Sequence, residues 1–518
     1  MKRITMTVLI FASILLLPMA AFAQPEPGDV FREYTWYNRG GDAGSALRVG
    51  GNVDYGGYNK RHWGDLDLEH AVKAEVVIEK ILSHDSTRGL AIQINDNEWF
   101  EIPEAAGITS PQHMFNHHIY PSVEVPLTML KTGNENVFRM KVSTVHNWGW
   151  PQNLINGVHF RIYYDAEKKP HPTGVMTSPA KGERIGDMVT VGAEGQSPNG
   201  AITKIEYVGL YTDVNFEGDG VYYQWHYHYF HGKVMNHIGT SSVAPFEVEW
   251  DTSWVPDQDE PIKIAARIHD DAGMIYMTDA VEELELARDT ISVELARPYN
   301  IPSAWVTRKS GKRENIDIAG DPSKIIAVQL AWSSWSPGYM NGIYINYKKV
   351  FDKEGPLYKS YAHRVTIDSL DVFLKGENII STGTTSAVNG KTVHGMEVNW
   401  PGIMVLLRYD STIQTSVDEN QLDEKPMTIE DFTTYPNPFN ASTSIHYTLT
   451  EQAQLRCTIM SLAGQKVRTI ADSFQEAGSR TYQWDGRNSA GESVASGIYI
   501  ALLEADSQRA VRKLMYMK

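Results

Sequence analysis

Cysteine is almost absent from this chain. There is one, Cys457, in 518 residues, so no intramolecular disulfide framework can exist, and stability must come from buried cores and from bound ions if any. Long apolar runs are equally scarce. The run from Val8 to Leu17 is too short to cross a bilayer, and no other segment reaches spanning length. Positive charge is in deficit, with 47 Lys and Arg against 63 Asp and Glu and a formal net charge of −16. That balance argues against a nucleic-acid partner, which calls for a basic face. Helical periodicity is rare. So are the signatures of covalent catalysis: the chain has no Gly-x-Ser-x-Gly elbow, no phosphate loop, no His-Glu-x-x-His and no cysteine nucleophile with a partner. A glycosidase needs only two carboxylates at a fixed separation. Glu247, Glu249, Asp251, Glu397 and Asp42 are all available for that, and the sequence singles out none of them.

What the chain does have is 41 glycines, 10% aromatics and many short alternating runs between Gly, Asn, Asp and Pro. That pattern predicts an all-β fold. The length predicts several domains, about three to five. Residues 1–23 read as a secretory signal. Lys2 and Arg3 form the charged start, Val8–Leu17 the apolar stretch, and Ala21-Phe22-Ala23 the small-x-small cleavage site, so the expected mature chain begins at Gln24.

Three β-sandwiches are expected before residue 411. Residues 28–165 carry strand-like runs such as 74–79, 90–94, 136–142 and 158–164, with the period-2 alternation of half-buried antiparallel strands, and read as a jelly roll. In residues 171–290, the run Ser178-Pro-Ala-Lys-Gly-Glu-Arg-Ile-Gly resembles the opening of an immunoglobulin-like domain, and sandwich strands follow at 188–191, 202–208, 246–250 and 262–270. Residues 296–410 form the third unit, and here the chain repeats itself. Leu130-Lys-Thr-Gly-Asn-Glu-Asn136 matches Leu374-Lys-Gly-Glu-Asn378, and 156–165 matches 401–410, with a Trp-Pro pair ahead of each at Trp150-Pro151 and Trp400-Pro401. The first and third units are therefore expected to be copies of one fold. The Leu-Lys-x-Gly-x-Asn turn resembles that of the galactose-binding-like jelly rolls that accompany many glycoside hydrolases. The resemblance implies fold more than function.

Residues 411–431 are acidic, lack an apolar stripe and are expected to be a flexible linker. Residues 432–518 carry Tyr435-Pro-Asn-Pro-Phe-Asn440, Leu462-Ala-Gly-Gln-Lys-Val467, Trp484-Asp-Gly-Arg-Asn488, Ser496-Gly-Ile-Tyr-Ile-Ala-Leu502 and Arg512-Lys-Leu-Met-Tyr-Met-Lys518. Together these closely resemble the C-terminal sorting domain of substrates of the type IX secretion system of Bacteroidota-like bacteria. The resemblance implies a small seven-stranded sandwich, the type IX machinery as a partner, and a secreted or outer-membrane-surface location. It is silent on activity.

The densest aromatic and imidazole stretch is 221–231, Val-Tyr-Tyr-Gln-Trp-His-Tyr-His-Tyr-Phe-His, an expected insertion in the immunoglobulin-like unit. Just before it, Asp213, Asn215, Glu217 and Asp219 alternate oxygen donors, with Gly218 and Gly220 supplying turn freedom. Hard cations want such donors, which makes calcium the candidate cofactor; no organic cofactor is indicated. An ordinary polar hairpin is the plain alternative. In a strand His226 and His228 share a face and can chelate a transition metal, with His231 or His237 as a third ligand, or they can simply line the polar side of a sandwich. Aromatic planes stack on the C–H faces of sugars. Tyr223, Trp225 and Tyr227 in the insertion, and Trp332, Trp335, Tyr339 and Trp400 in the third unit, are the candidate sugar-stacking residues; their alternative use is to plug sandwich ends.

The sequence thus points to an exported all-β multi-domain protein: two jelly rolls flanking an immunoglobulin-like unit, then a small sorting sandwich. The expected function is binding of extracellular polysaccharide through aromatic loops. Two other functions stand beside it: a polysaccharide hydrolase or lyase acting at a jelly-roll face or at the 213–237 insertion, and a structural or adhesive surface role. For the insertion itself, the two readings are packing between domains and lining a groove shared by them.

Overall fold

A computed structural model describes residues 24–37, 47–50, 60–82, 89–103, 117–142, 152–215, 224–230, 232–308, 310–413, 429–450, 452–461, 465–505 and 508–517. The expected signal segment, most of the 411–431 linker, and Tyr223, Glu217, Asp219 and His231 lie outside them. The fold is all-β, a set of β-sandwiches joined by turns and, among the described residues, four short 3-10 segments. Among the described residues no helix is long and apolar enough to cross a membrane. The chain divides into two compact units, one of Met1–Arg308 and Arg313–Ser411, the other of Lys309–Lys312 and Thr412–Lys518.

The first unit holds three sandwiches. In the first sandwich, one sheet runs in the order Val30–Tyr37, Gln152–Tyr164, Ala71–Leu82, with His117–Ile119 and Ser122–Glu124 along its edge. The facing sheet runs Lys60–Trp63, Asn136–Lys141, Ala91–Ile94, Phe100–Glu101. The third sandwich repeats this chain order with Pro298–Tyr299 added at one edge: Ile291–Ala296, Met404–Asp410, Ile325–Trp335, Ser360–Ile367 face Pro298–Tyr299, Lys312–Ile318, Gly376–Thr382, Ile343–Ile345, Lys348–Phe351. Period-2 sequence gives period-2 burial, as in Asn136–Lys141 and Gly376–Thr382.

The repeated Leu-Lys…Gly…Asn turn is a backbone clasp, made twice. Asn136 Oδ1 accepts from Lys131 N–H (2.9 Å) and its Nδ2 donates to the Lys131 and Gly133 carbonyls. Asn378 does the same with Leu374 and Gly376. A second asparagine completes each clasp. Asn95 Nδ2 donates to Asn136 Oδ1 (2.7 Å) and its Oδ1 accepts from Val137 N–H, while Asn346 plays this part towards Asn378 and Ile379. Asn95 and Asn346 both have positive φ, 51° and 46°, which asparagine tolerates better than most residues.

The second sandwich packs Thr173–Ser178, Met188–Gln196 and Glu247–Asp251 over Ile202–Leu210, Ile262–Asp270 and Val281–Leu286, around Ile205, Tyr207, Trp250, Ile264 and Ile268. It is not separate from the first. Ile275–Met277 pairs with Val30 and Phe31, so a single twelve-stranded sheet runs through both. The third sandwich is joined by apolar contact. Val214 and Trp254 of the second pack on Val293, Ala331, Met404 and Leu406; Ile119 of the first is buried in the core of the third; and Trp335 packs on Ile81 and Leu154.

In the second unit, Ile429–Tyr435, Thr443–Leu449 and Gly478–Trp484 form one sheet and Lys466–Gln475, Ala453–Ser461, Gly497–Ala505 and Gln508–Tyr516 the other. These are the seven strands that the sequence implied. Trp484, Phe439, Tyr499 and Tyr516 fill the core together with Cys457, whose thiol burial pushes up to about 12.

Truncating either clasp asparagine strands several buried backbone groups. Asn136→Ala and Asn378→Ala are each expected to destabilise the first unit by about 2 kcal/mol or more in urea unfolding. Because the two clasps share no partners, the double variant should show the sum.

Candidate functional site at the junction of three sandwiches

The insertion that the sequence singled out lies across the joined sheet of the first two sandwiches, on the face opposite their cores. That face carries a row of charges set by strand register. Glu33, Arg161 and Glu75 are direct cross-strand neighbours, and so are Glu206 and Arg267. Arg161 bonds Glu33 (3.0 Å) and Glu75, and Arg267 reaches Glu33 (2.9 Å) and Glu206 (3.4 Å). Both guanidiniums are at most 1% exposed. Phe31 lies beneath the two, about equally near each, at 5.5 and 5.6 Å from ring centre to guanidinium carbon.

The insertion seals this row. Tyr227 and Tyr229 hydroxyls meet Arg161 Nη2 at 3.3 and 3.0 Å, the Tyr229 hydroxyl also donates to Glu33, and the Tyr227 ring covers Arg267 at 4.8 Å. Burial alone would raise the Glu33 carboxyl, but Arg267 and Arg161, helped by the Tyr229 hydroxyl, bring it down to about 2. Burial likewise works against the Glu206 carboxylate, and His269 and Arg267 reverse it, holding Glu206 well below the usual carboxylate range. Burial pushes His159, which stacks on Tyr229, down to about 3.

The opposite side of the insertion faces the third sandwich. His226 packs on Tyr211 and His228 on Tyr120, and both are held neutral, pushed down by burial, His228 to about 3. The period-2 alternation of the stretch is therefore real: tyrosines face the ion row and imidazoles face the junction. The two imidazoles meet different neighbours, and among the described residues no group of three or more His, Cys, Asp or Glu is placed to hold a metal ion. Of the four candidate calcium donors, Asp213 and Asn215 are among the described residues, and Asp213 takes part in an ion pair. Asp213 Oδ1 accepts from Arg364 Nη2 of the third sandwich at 2.9 Å and from Val214 N–H at 2.7 Å. Burial pushes the Asp213 carboxyl up and Arg364 opposes this. Asn215 is buried.

The aromatic expectation is redistributed as well. Trp332 and Trp400 are buried in the core of the third sandwich, and Trp225 and Tyr227 in the seal over the ion row, so none of the four can offer a face to a sugar. Trp332 spends one face on His363, stacked at 4.1 Å and 6°, whose imidazole burial pushes down to about 4. Trp335 is half-buried against the first sandwich. Tyr339 lies near the surface, with its hydroxyl 2.8 Å from that of Tyr358.

What the three sandwiches form together is a groove with two connected parts that share Asn236 and Ala362. The polar part, about 430 Å³, is walled by Asp213, His237, Glu249, Asp251, Trp254 and Arg364. The apolar part, about 240 Å³, is walled by Tyr120, His228, Phe230, Met235, Ser333 and Tyr361. Glu249 and Asp251 point the same way because they are two apart on the Glu247–Asp251 strand, and both are exposed. Phe230 and Met235 are 38 and 46% exposed, the open ring and thioether of the site, while Tyr361, paired with Ser334, turns its ring towards His363 on the other face of its sheet from Ser333 and Ala362. Sequence reading passed over Tyr361 and Arg364 because Ser360–Ile367 alternates like any solvent-facing strand.

Residues 438–508 match the family described as FlgD Ig-like domain. No curated protein matches the chain. Among solved structures, the fibronectin(III)-like modules of Clostridium thermocellum CbhA are similar at 12% identity, covering 49% of this chain and 93% of that one, with a TM-score of 0.16. A b-glucuronidase from Ruminococcus gnavus is similar at 8% identity (45% of this chain, 47% of that one, TM-score 0.16). A glycosyl hydrolase family 2 member from Bacteroides cellulosilyticus is similar at 13% identity (40% and 26%, TM-score 0.14). The chain thus spans less than half the length of either hydrolase.

Two predictions follow from the ion row and its cover. His159, His226, His228 and His363 have folded pKa values below 6.5, so the stability they contribute is complete above that pH and is lost as pH falls towards their folded values. Glu33 adds a further loss of about 3 kcal/mol between about pH 4.5 and pH 2. The melting temperature of the first unit should therefore be flat near pH 7 and fall steadily below about 6.5, read by calorimetry. Arg267→Met leaves Glu33 and Glu206 buried with less compensation and should cost about 3–5 kcal/mol in urea unfolding.

Proposed function

We propose that the protein is a secreted or cell-surface polysaccharide-binding protein whose binding site is the groove at the junction of its three N-terminal sandwiches. The observation that carries this reading is the pairing inside one groove of open apolar and aromatic groups (Phe230, Met235) with exposed oxygen acceptors on the adjoining wall (Glu249, Asp251). Sugars present C–H faces and hydroxyls together, and a site for them needs both kinds of group within one ring of each other. The resemblance of the first and third sandwiches to galactose-binding-like jelly rolls supports the same reading. Glu249 and Asp251 also keep a hydrolase reading open, since they are two carboxylates facing one groove.

Export belongs to the same proposal. Residues 1–23 address the chain out of the cytoplasm, and 432–518 act as a type IX sorting domain that passes it across the outer membrane. The sorting motifs and the seven-stranded sandwich support this. Deleting 432–518 in a type IX-competent host is expected to leave the protein inside the outer membrane, and its appearance in medium or on the surface would overturn the sorting role.

The binding reading is tested by affinity gels cast with plant, algal and bacterial polysaccharides. At least one should retard the wild-type protein, and Phe230→Ala should weaken that retention about fivefold, the worth of one stacked ring. New reducing ends or unsaturated products, abolished by Glu249→Gln or Asp251→Asn, would instead establish an enzyme. Retention by none of the glycans would overturn the reading.

A further inference from the structure

The apolar part of the groove differs from the polar part in kind. It is a depression of about 240 Å³, little more than half the volume of the polar part, with room for one ring but not for a length of chain. Tyr120 supplies an aromatic wall, Phe230 and Met235 the rim. At its inner surface Ser333, 6% exposed, carries a buried hydroxyl with no hydrogen-bond partner among the described residues, and the buried hydroxyl of Ser360 is in the same condition. A buried hydroxyl left unpaired carries a desolvation penalty, which a ligand hydroxyl removes by bonding it. Ala362, directly across from Ser333 in the strand register, is small, and this is what leaves the space open.

Charge narrows the ligand further. The neighbouring wall carries the carboxylates of Asp213, Glu249 and Asp251. Its guanidinium, Arg364, is committed to Asp213 at 2.9 Å. His228, the imidazole packed on Tyr120, is kept uncharged by burial. The other imidazole of this wall, His118, lies 3.7 Å from the Glu79 carboxylate, so an anionic ring placed here would meet like charge.

We propose that this depression is a subsite for a single uncharged sugar ring, a chain end or a branch of the polysaccharide, with its apolar face against Phe230 and its hydroxyls on Ser333 and Ser360. The inference rests on the groove reading and specifies what enters first. A chain-end or branch ring fits because the depression has little more than half the volume of the polar part.

The experiment uses the full chain. Binding of free glucose, galactose, mannose and glucuronic acid is followed by saturation-transfer NMR, and affinity gels are run with neutral and with uronic-acid polysaccharides. The expected result is that at least one neutral monosaccharide binds and competes with gel retention, while glucuronic acid does neither. Ser333→Ala should weaken monosaccharide binding roughly fivefold, the worth of one hydrogen bond. Ala362→Phe, which fills the depression, should abolish it, with the melting temperature of each variant confirming that it folds. Retention of a polysaccharide that is unaffected by both variants and by every monosaccharide would overturn the subsite and leave the groove reading standing. So would retention of uronic polymers in preference to neutral ones. Retention of no polysaccharide and binding of no monosaccharide would overturn both.

Discussion

Two arginines buried beneath tyrosines hold the N-terminal part of this molecule in its shape. Arg161 and Arg267 come from different sandwiches, yet both bind Glu33, so a single carboxylate ties the first sandwich to the second. Charges taken out of water are costly unless paired and hydrogen-bonded. Here the pairing is built by cross-strand register, Glu33 opposite Arg161 opposite Glu75, and Glu206 opposite Arg267. The sheet that carries the row is continuous through Phe31 and Ile275. The insertion exists in its observed form because these groups need a lid, and Tyr227 and Tyr229 are suited to the task, each offering an apolar ring and a polar end.

Once the lid is fixed, the groove follows. Alternation along 225–229 sends every second residue away from the ion row, towards the third sandwich. That sandwich is held in place by Val214 and Trp254, by Trp335 and by the Asp213–Arg364 ion pair. The gap left between lid, second sandwich and third sandwich is the candidate site. Function, on this account, belongs to an arrangement of domains, and no single sandwich contains it.

Much of the architecture was legible in the sequence. The strands of the three N-terminal sandwiches and the repeat around Asn136 and Asn378 show in local alternation and turn chemistry, which are short-range signals, while the seven strands of the second unit were implied by a family resemblance. The site was less legible, for a physical reason. Gln152–Tyr164 and Ile262–Asp270 place His159, Arg161, Arg267 and His269 at alternate positions, which normally means a face towards water. In the folded chain both faces of those strands are buried. Only the tertiary pairing of Ile275–Met277 with Val30 and Phe31 reveals this, and it joins positions some 240 residues apart in the numbering. The tryptophans were misplaced too: Trp332 and Trp400 sit in Gly- and Ser-rich surroundings that resemble loops, yet they lie in the core of the third sandwich. Asp213 alternates with other oxygen donors as a calcium ligand would, and nothing local shows that Arg364, 151 positions on, occupies it.

The account stands or falls on whether ligand and groove meet at the junction. Amide hydrogen exchange with and without a retained polysaccharide tests this most directly. The account predicts that ligand slows exchange together in three places, around Tyr120, across Lys233–Met235 and along Ser360–Ile367, which come from three sandwiches and meet only at the groove. Protection confined to one sandwich, or placed on the far face of the third around Lys348–Phe351, would contradict it.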